Sequence, residues 1–378
     1  MCASKYNMIL SLRGVNKTTV PRYAGDIYNI HMNNLDILRA VAVISVFLHH
    51  LAYVSHIKIP FFYGVGGPML GMHLFFILSG YLITQSTEKY KLSVYCIHRI
   101  FRILPAYLFV FIILGLATHA YRIDSVINFP VQFVFNLLLM QQIYPESLLR
   151  FDATHVSWSL TVEVLWYLAA PVILLGIKKS PVFTLLGSII LSTVWVILSQ
   201  SGALDFLCSS LIQDNPSYRL LFLNNSFIGF FCFFVMGGLI HVMRDKIKIN
   251  NLVLIAMFTV FACLYPAWYT LTPYPIFLTG IGVAALVILA LNTPNLELPL
   301  LKWVSDISYS IYLIHFIVLD YVFNHWGWLG FYGAVFATAL TLLLANYSYR
   351  WIEKPFVTIG RKVSLTSAPS QHLRIGQK

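Results

Sequence analysis

Charge is what this sequence most lacks. Only 10% of its 378 residues are Asp, Glu, Lys or Arg, against about 25% in an ordinary soluble domain, while 58% are hydrophobic. That balance excludes a water-soluble globule. No long polar block interrupts residues 35 to 350, which leaves room for one membrane domain and no separate soluble one. The five cysteines (Cys2, Cys96, Cys208, Cys232, Cys263) show no CxxC spacing. Neither a disulfide framework nor a metal site is expected, and they read as small, soft packing residues. The first 30 residues are polar and mildly basic and lack the apolar core and cleavage site of a signal peptide, so the N-terminus is expected to be retained. Acid is scarcer than base, 14 residues against 25, for a net charge of +11. The bases form no single patch or stripe but fall in small clusters between apolar runs. This argues against nucleic acid as a partner and for topology signals beside membrane lipids.

What is present is a series of apolar runs of about the 20 residues that a helix needs to cross a bilayer. They lie near 35–54, 68–86, 103–119, 157–176, 182–200, 220–243, 251–267, 275–291, 305–323 and 328–349. A further run, 128–141, follows "NFP" and is short, so it is either an eleventh span or a hairpin at the interface. With ten spans and both ends cytoplasmic, the inner segments and Arg39 hold 21 of the 25 Lys and Arg residues, and only Lys58, Arg122, Arg150 and Arg219 stay outside. Letting the short run cross would move Lys178, Lys179 and "RDKIK" outside, against the positive-inside bias. The fold class is therefore an all-α integral membrane protein of about ten transmembrane helices. Residues 1–32 form a cytoplasmic segment, 33–358 the membrane domain and 359–378 a basic, disordered cytoplasmic tail.

Ionisable side chains inside the apolar runs are costly and mark function or an internal partner. In "NNLDILRAVAVISVFLHH", Arg39 and His50 stand eleven residues apart, close to three helical turns, so they share a face about 16 Å apart. The plainer alternative leaves each at its own interface. Glu163 in "WSLTVEVLWYLAAP" is the one carboxylate well inside a run. With His50, and with His73 of "GMHLFFILSGYLIT", it shares roughly one depth, about 6 to 9 Å below the outer ends. A histidine beside a carboxylate suits activation of a hydroxyl; a buried structural ion pair is the alternative. At the inner side "HRIFRILPAY" sets Arg99 and Arg102 at i and i+3, either a topology anchor or a phosphate-binding pair. "SYRWIEKPF" supplies Arg350 with Glu353 and Lys354, for which a local ion pair is the simplest account. "DISYSIYLIHFIVL" buries His315, with Ser308 and Tyr312 on related faces. Trp158 and Trp166 beside Glu163 could stack on sugar rings, though interface anchoring is the default for such residues.

Taken in order, "LDILRAVAVISVFLHH", "GMHLFFILSGYLIT", "HRIFRILPAY", "WSLTVEVLWYL", "SYSIYLIH" and "SYRWIEKPF" make the chain resemble the acyltransferase-3 family of integral-membrane O-acyltransferases over residues 33–358. The resemblance implies transfer of an acyl group, usually acetyl, from acyl coenzyme A to a hydroxyl of a cell-surface carbohydrate or lipid-linked glycan, in the bacterial inner membrane. Acetyl coenzyme A would be a donor substrate, with no cofactor permanently bound. It makes Arg39 and His50 essential, gives Arg99, Arg102 and Glu163 functional weight, and matches His315 and Arg350 to recurrent positions. Position 73 departs from it, being His where many members have Asp. A second departure is the C-terminal tail, which ends too soon for the extra hydrolase-like domain of some members, so a stand-alone transferase is expected. The expected arrangement has His50, supported by Glu163, as base and the inner arginines on the donor's phosphates. An acyl-enzyme is the alternative route. A proton-coupled secondary transporter is the competing class, and coenzyme A dependence separates the two. A silent scaffold fits poorly with so many buried ionisable groups.

Overall fold

The computed structural model describes residues 33–366 apart from 60–61, 63–65, 118–122, 153, 209–210, 212–214, 216 and 269–275. Among these residues the chain is all helical, without strands. Six helices are long and apolar enough to cross a membrane by length and composition, or seven if one bent pair is a single span. The chain is a multi-pass membrane protein.

The helices follow the apolar runs closely. Helix α1 (Asn34–Ser55) starts at a reciprocal cap: the Asn33 side chain accepts from the backbone of Leu35 (2.6 Å) and Asp36 (3.2 Å), and Asp36 accepts back from the Asn33 amide. Asn34 then donates to the carbonyls of Ala290 (3.0 Å), Thr293 (3.1 Å) and Pro294 (3.0 Å). Those are carbonyls at and just past the end of another helix, so one amide caps that helix and ties it to α1. After α2 (Gly66–Lys89), helix α3 (Leu92–Ala117) begins eleven residues before the expected run. Arg99 and Arg102 therefore sit on a formed helix rather than at its entrance.

The short run 128–141 holds no helix long enough to cross. It folds as α4 (Ile123–Asn128), α5 (Pro130–Leu137) and, after a turn, α6 (Glu146–Phe151). Eight residues of α5 rise only about 12 Å, against about 30 Å of hydrocarbon. Helices α7 (Trp158–Lys179) and α8 (Pro181–Gln200) match their runs, the run 220–243 divides into a π-helical turn (Leu220–Asn224) and α9 (Phe227–Val242), and α10 (Asn251–Trp268) and α11 (Ile276–Asn292) match theirs. The ninth run is α13 (Ser308–Asp320) continued by a π-helical turn (Tyr321–His325), and α12 (Pro299–Asp306), ahead of it, meets it at 73°.

The last run is much longer than expected. Helix α14 (Gly330–Ser348) passes through a π-helical turn (Tyr349–Glu353) into α15 (Lys354–Thr366), and Gly330–Leu365 is one 36-residue rod. That is about 54 Å, so part of it must stand outside the bilayer. The expected disordered tail is helical as far as residue 366, because α15 packs on α3. A Cβ at Gly360 would lie 2.6 Å from Phe101 Cβ. Residues 367–378, like the 1–32 segment, lie outside the described residues.

Helix α2 is the centre of the bundle, and glycine puts it there. A Cβ on Gly71 would lie 2.6 Å from the Ala42 carbonyl of α1, one on Gly80 2.2 Å from the Phe234 carbonyl of α9, and one on Gly237 of α9 2.0 Å from the Ile77 carbonyl of α2. These are backbone-on-backbone contacts, the close approach that small residues permit between membrane helices. At one end Glu88 of α2 joins Lys178 of α7 (2.7 Å) and His241 of α9 (2.8 Å), and the Lys178 bond holds its carboxyl below the usual carboxylate range. Gly237→Leu is expected to prevent assembly, seen as loss of the monodisperse peak on size-exclusion chromatography in detergent. Glycine at the open position Gly187 should accept Ala without that loss.

Candidate active site

Two connected chambers open inside the bundle. The larger, about 1870 Å³, is walled by α1, α2, α3, the α12 end and the α15 rod, and carries Lys89, Lys302, Lys354 and Arg361. Asp36 and Asp306 are its acids. The deeper one, about 900 Å³, holds Ser79, Ser159, Glu163, Tyr167, Ser308 and Tyr312. Arg39, Leu82, Arg99 and Arg102 line both, so the arginines form the neck between a basic mouth and a hydroxyl-lined interior.

The three neck arginines are not equivalent. Arg102 pairs with Glu353, which is 1% exposed at the π-helical turn and also accepts from Ser310 at 3.0 Å. Arg39 is held by Asp36 at 3.4 Å on its own helix. Arg99 lies 5.8 Å from the Tyr95 ring and 5.7 Å from the Tyr167 ring, donates to Ser86 Oγ at 3.3 Å, and leaves its buried Nε–H without a protein partner. Among the described residues it is the neck arginine with no carboxylate partner and with a buried donor left over. Arg350 stands apart, exposed on the rod and lining neither chamber. Its local pair with Glu353 does not form, because the π turn rotates Glu353 inward to Arg102. That buried carboxylate was masked in the sequence by its neighbours Arg350 and Lys354.

Glu163 also keeps company other than expected. One carboxylate oxygen accepts from Tyr167, one turn on, at 2.5 Å and from Ser79 of α2 at 3.2 Å. His50 is supported instead by His315, with Nδ1 of His50 2.8 Å from Nε2 of His315. Helix packing explains the exchange: α1 runs against α13, whereas α7 presents Glu163 to α2. The tautomers then follow. His315 Nδ1 faces the carbonyls of Tyr312 (2.8 Å) and Ile311 (3.1 Å), so in the neutral ring Nδ1 carries the hydrogen. Nε2 must accept, His50 donates from Nδ1, and the Nε2 lone pair of His50 is left to take a proton.

Tyr312 links the chambers to this pair. It lines the deeper chamber and its carbonyl holds His315, while its hydroxyl donates to the Val156 carbonyl at 2.9 Å and bonds Ser159. Ser308, one turn earlier, lines the same chamber. His73 does not. It is fully buried, stacked on Phe233 at 4.4 Å and edge-on to Phe230 at 5.7 Å, which makes it part of the α2–α9 packing. Trp166 is likewise fully buried, stacked on Phe234 at 5.1 Å, neither an interface anchor nor a sugar platform.

Comparison with known proteins agrees with this architecture. Residues 32–350 match the family profile described as an acyltransferase domain. A Staphylococcus aureus protein of strain MSSA476, provisionally named an O-acetyltransferase, is 26% identical over 384 residues, covering 88% of this chain and 58% of its own. O-acetyltransferase OatA of strain NCTC 8325 is 24% identical over 370 residues with the same coverage. The chain thus spans 58% of the length of these relatives. No solved structure matches. With its profile covering most of the chain, the protein belongs to the acyltransferase-3 family.

Proposed function

We propose that the protein is a membrane O-acyltransferase, moving an acetyl group from cytoplasmic acetyl coenzyme A to a hydroxyl of a cell-surface carbohydrate in the bacterial cell membrane. The observation that carries this is the two-ended site: a basic mouth and neck at one end, and at the other a histidine with a free ring nitrogen. Arg39 and His50 mark the two ends on one helix, about 16 Å apart. With ten spans and both termini cytoplasmic, the basic mouth faces the cytoplasm, where the donor is made.

Lys89, Lys354 and Arg361 at the mouth would meet the phosphates of the donor, and Arg99 would bind them with a guanidinium fork that no carboxylate of the described residues holds, as Glu353 holds Arg102. The acyl arm would extend past Ser79 and Glu163 toward Tyr312. At the far end the acceptor hydroxyl gives its proton to His50 Nε2 as its oxygen attacks the thioester carbonyl carbon. The C–O bond forms, the C–S bond breaks, and the departing sulfur takes a proton to leave as the thiol. His315 holds His50 in the accepting tautomer and shares the charge that develops.

The test is release of free coenzyme A from acetyl coenzyme A by purified protein in proteoliposomes, with glycans extracted from its own host's envelope as acceptor. Acceptor-dependent release is the expected result; no thioester consumption from folded protein would overturn the assignment. Arg99→Gln is expected to raise the KM for acetyl coenzyme A roughly tenfold, the scale of one charge-assisted hydrogen bond, with thermal stability nearly unchanged.

A further inference from the structure

At the histidine end, five rings stand in a row that the transfer chemistry does not use up. Tyr53 stacks on His49 at 6.3 Å and 20°, His49 meets His50 edge-on at 5.1 Å, His50 meets Phe316 edge-on at 5.1 Å, and Phe316 lies 5.3 Å from His155. Tyr53 is 64% exposed, His155 is exposed, and the three rings between are half-buried. The row is therefore open to the surface at both ends and has the proposed base at its middle.

His155 is held there against its backbone preference. Its φ is +57°, a conformation that costs any residue with a Cβ and is kept only where the surroundings impose it. They do so on both sides. Asp152 accepts from the Thr154 amide (3.0 Å) and hydroxyl (2.7 Å), and the Val156 carbonyl accepts from Tyr312 at 2.9 Å. Tyr312 thus fixes the loop carrying one end of the row and the His315 that orients its middle. An interface-anchoring tyrosine explains Tyr53 alone; it does not explain a strained, exposed imidazole at the other end.

We infer that this row is the acceptor subsite, and that it takes a pyranoside chain laid along the rings. This rests on the transferase reading. The chemistry matches in alternation: ring faces of Tyr53 and Phe316 receive the C–H faces of a sugar, and the imidazoles between them, whose Nδ1 hydrogens go to the Phe62 carbonyl (2.9 Å) and to His315 (2.8 Å), accept from hydroxyls through Nε2. A lipid chain would strand the two Nε2 acceptors, and an anion would find no Lys or Arg in the row. Four ring-to-ring steps make the platform longer than a single sugar, so recognition extends to neighbours of the one whose hydroxyl reaches His50.

The variants H155G and Y53A test this in the proteoliposome assay, with acetyl coenzyme A as donor and the host's envelope glycans as acceptor. Glycine adopts a positive φ without penalty, so H155G removes the imidazole and leaves the loop unstrained. Each variant is expected to raise the KM for glycan roughly five- to tenfold, and the pair together more, while the KM for acetyl coenzyme A moves less than about twofold. A glycan KM unchanged in both variants overturns the subsite. A rise in the donor KM to match that for glycan overturns it equally, since a structural role would move both. Absence of acceptor-dependent release from wild-type protein overturns the transferase reading itself.

Discussion

His50→Ala should lower acceptor-dependent coenzyme A release by roughly 10²- to 10⁴-fold, the range that a positioned general base supplies, with donor binding intact because His50 lies outside both donor chambers. Wild-type turnover by this variant would remove His50 from the chemistry. His315 sharpens the test. Its Nε2 accepts from His50 Nδ1, so His315→Gln, whose amide oxygen can stand near the same place, should retain more activity than His315→Leu. The leucine variant leaves His50 free to adopt the other tautomer, in which Nε2 carries hydrogen and cannot accept the proton. Equal activity in the two variants would mean that only the volume of His315 matters.

The second large effect is on the folded state. Arg102→Ala leaves Glu353, 1% exposed, as a buried carboxylate without its cation, and removing one partner of such a pair costs about 3 to 5 kcal/mol. The exposure of Arg102, 34% of its side chain, places the expected loss near the lower figure. Thermal unfolding in detergent should report it as a clear drop in Tm. The double variant Arg102→Met, Glu353→Leu removes both charges and should recover most of it. Full loss of Tm in the double variant would show that the rod depends on the pair for more than neutralisation. Activity separates the roles further, since Arg99→Gln should weaken the donor without touching Tm.

The backbone of this molecule was legible from hydropathy and charge because membrane crossing imposes a length on each helix. Each expected run holds helix, although only six helices, or seven with the bent pair, are long and apolar enough to cross, and the doubtful run at 128–141 holds only short ones. Partnerships were not legible. His50 and Glu163 share a depth, but depth is one coordinate, and which face of α1 meets which helix is set by long-range packing. Arg99 and Arg102 looked like twins at i and i+3, yet a buried acid 251 residues away in sequence takes one of them. The left-handed His155 and the inward turn of Glu353 depend on loop and π-helical geometry that no residue spacing announces. The resemblance to the family singled out Arg39, His50 and His315 by motif position, but did not announce that His315 and not Glu163 is the partner of His50.

The glycine contacts at Gly71, Gly80 and Gly237 bear on timing. Three helices touching main chain to main chain have no slack in which to slide, so the interior cannot open by tilting one half of the bundle against the other, a motion of microseconds to milliseconds. What can move in the deeper chamber is the Phe75 ring, 6.3 Å from the hydrogen-bonded Tyr312, and such a rotor turns far faster. The aperture is then a fixed bore fitted with one swinging baffle. Its width, set by those two rings, would cap the size of the acyl group that passes, so that enlarging the bore by Phe75→Ala would admit longer chains without loosening the frame.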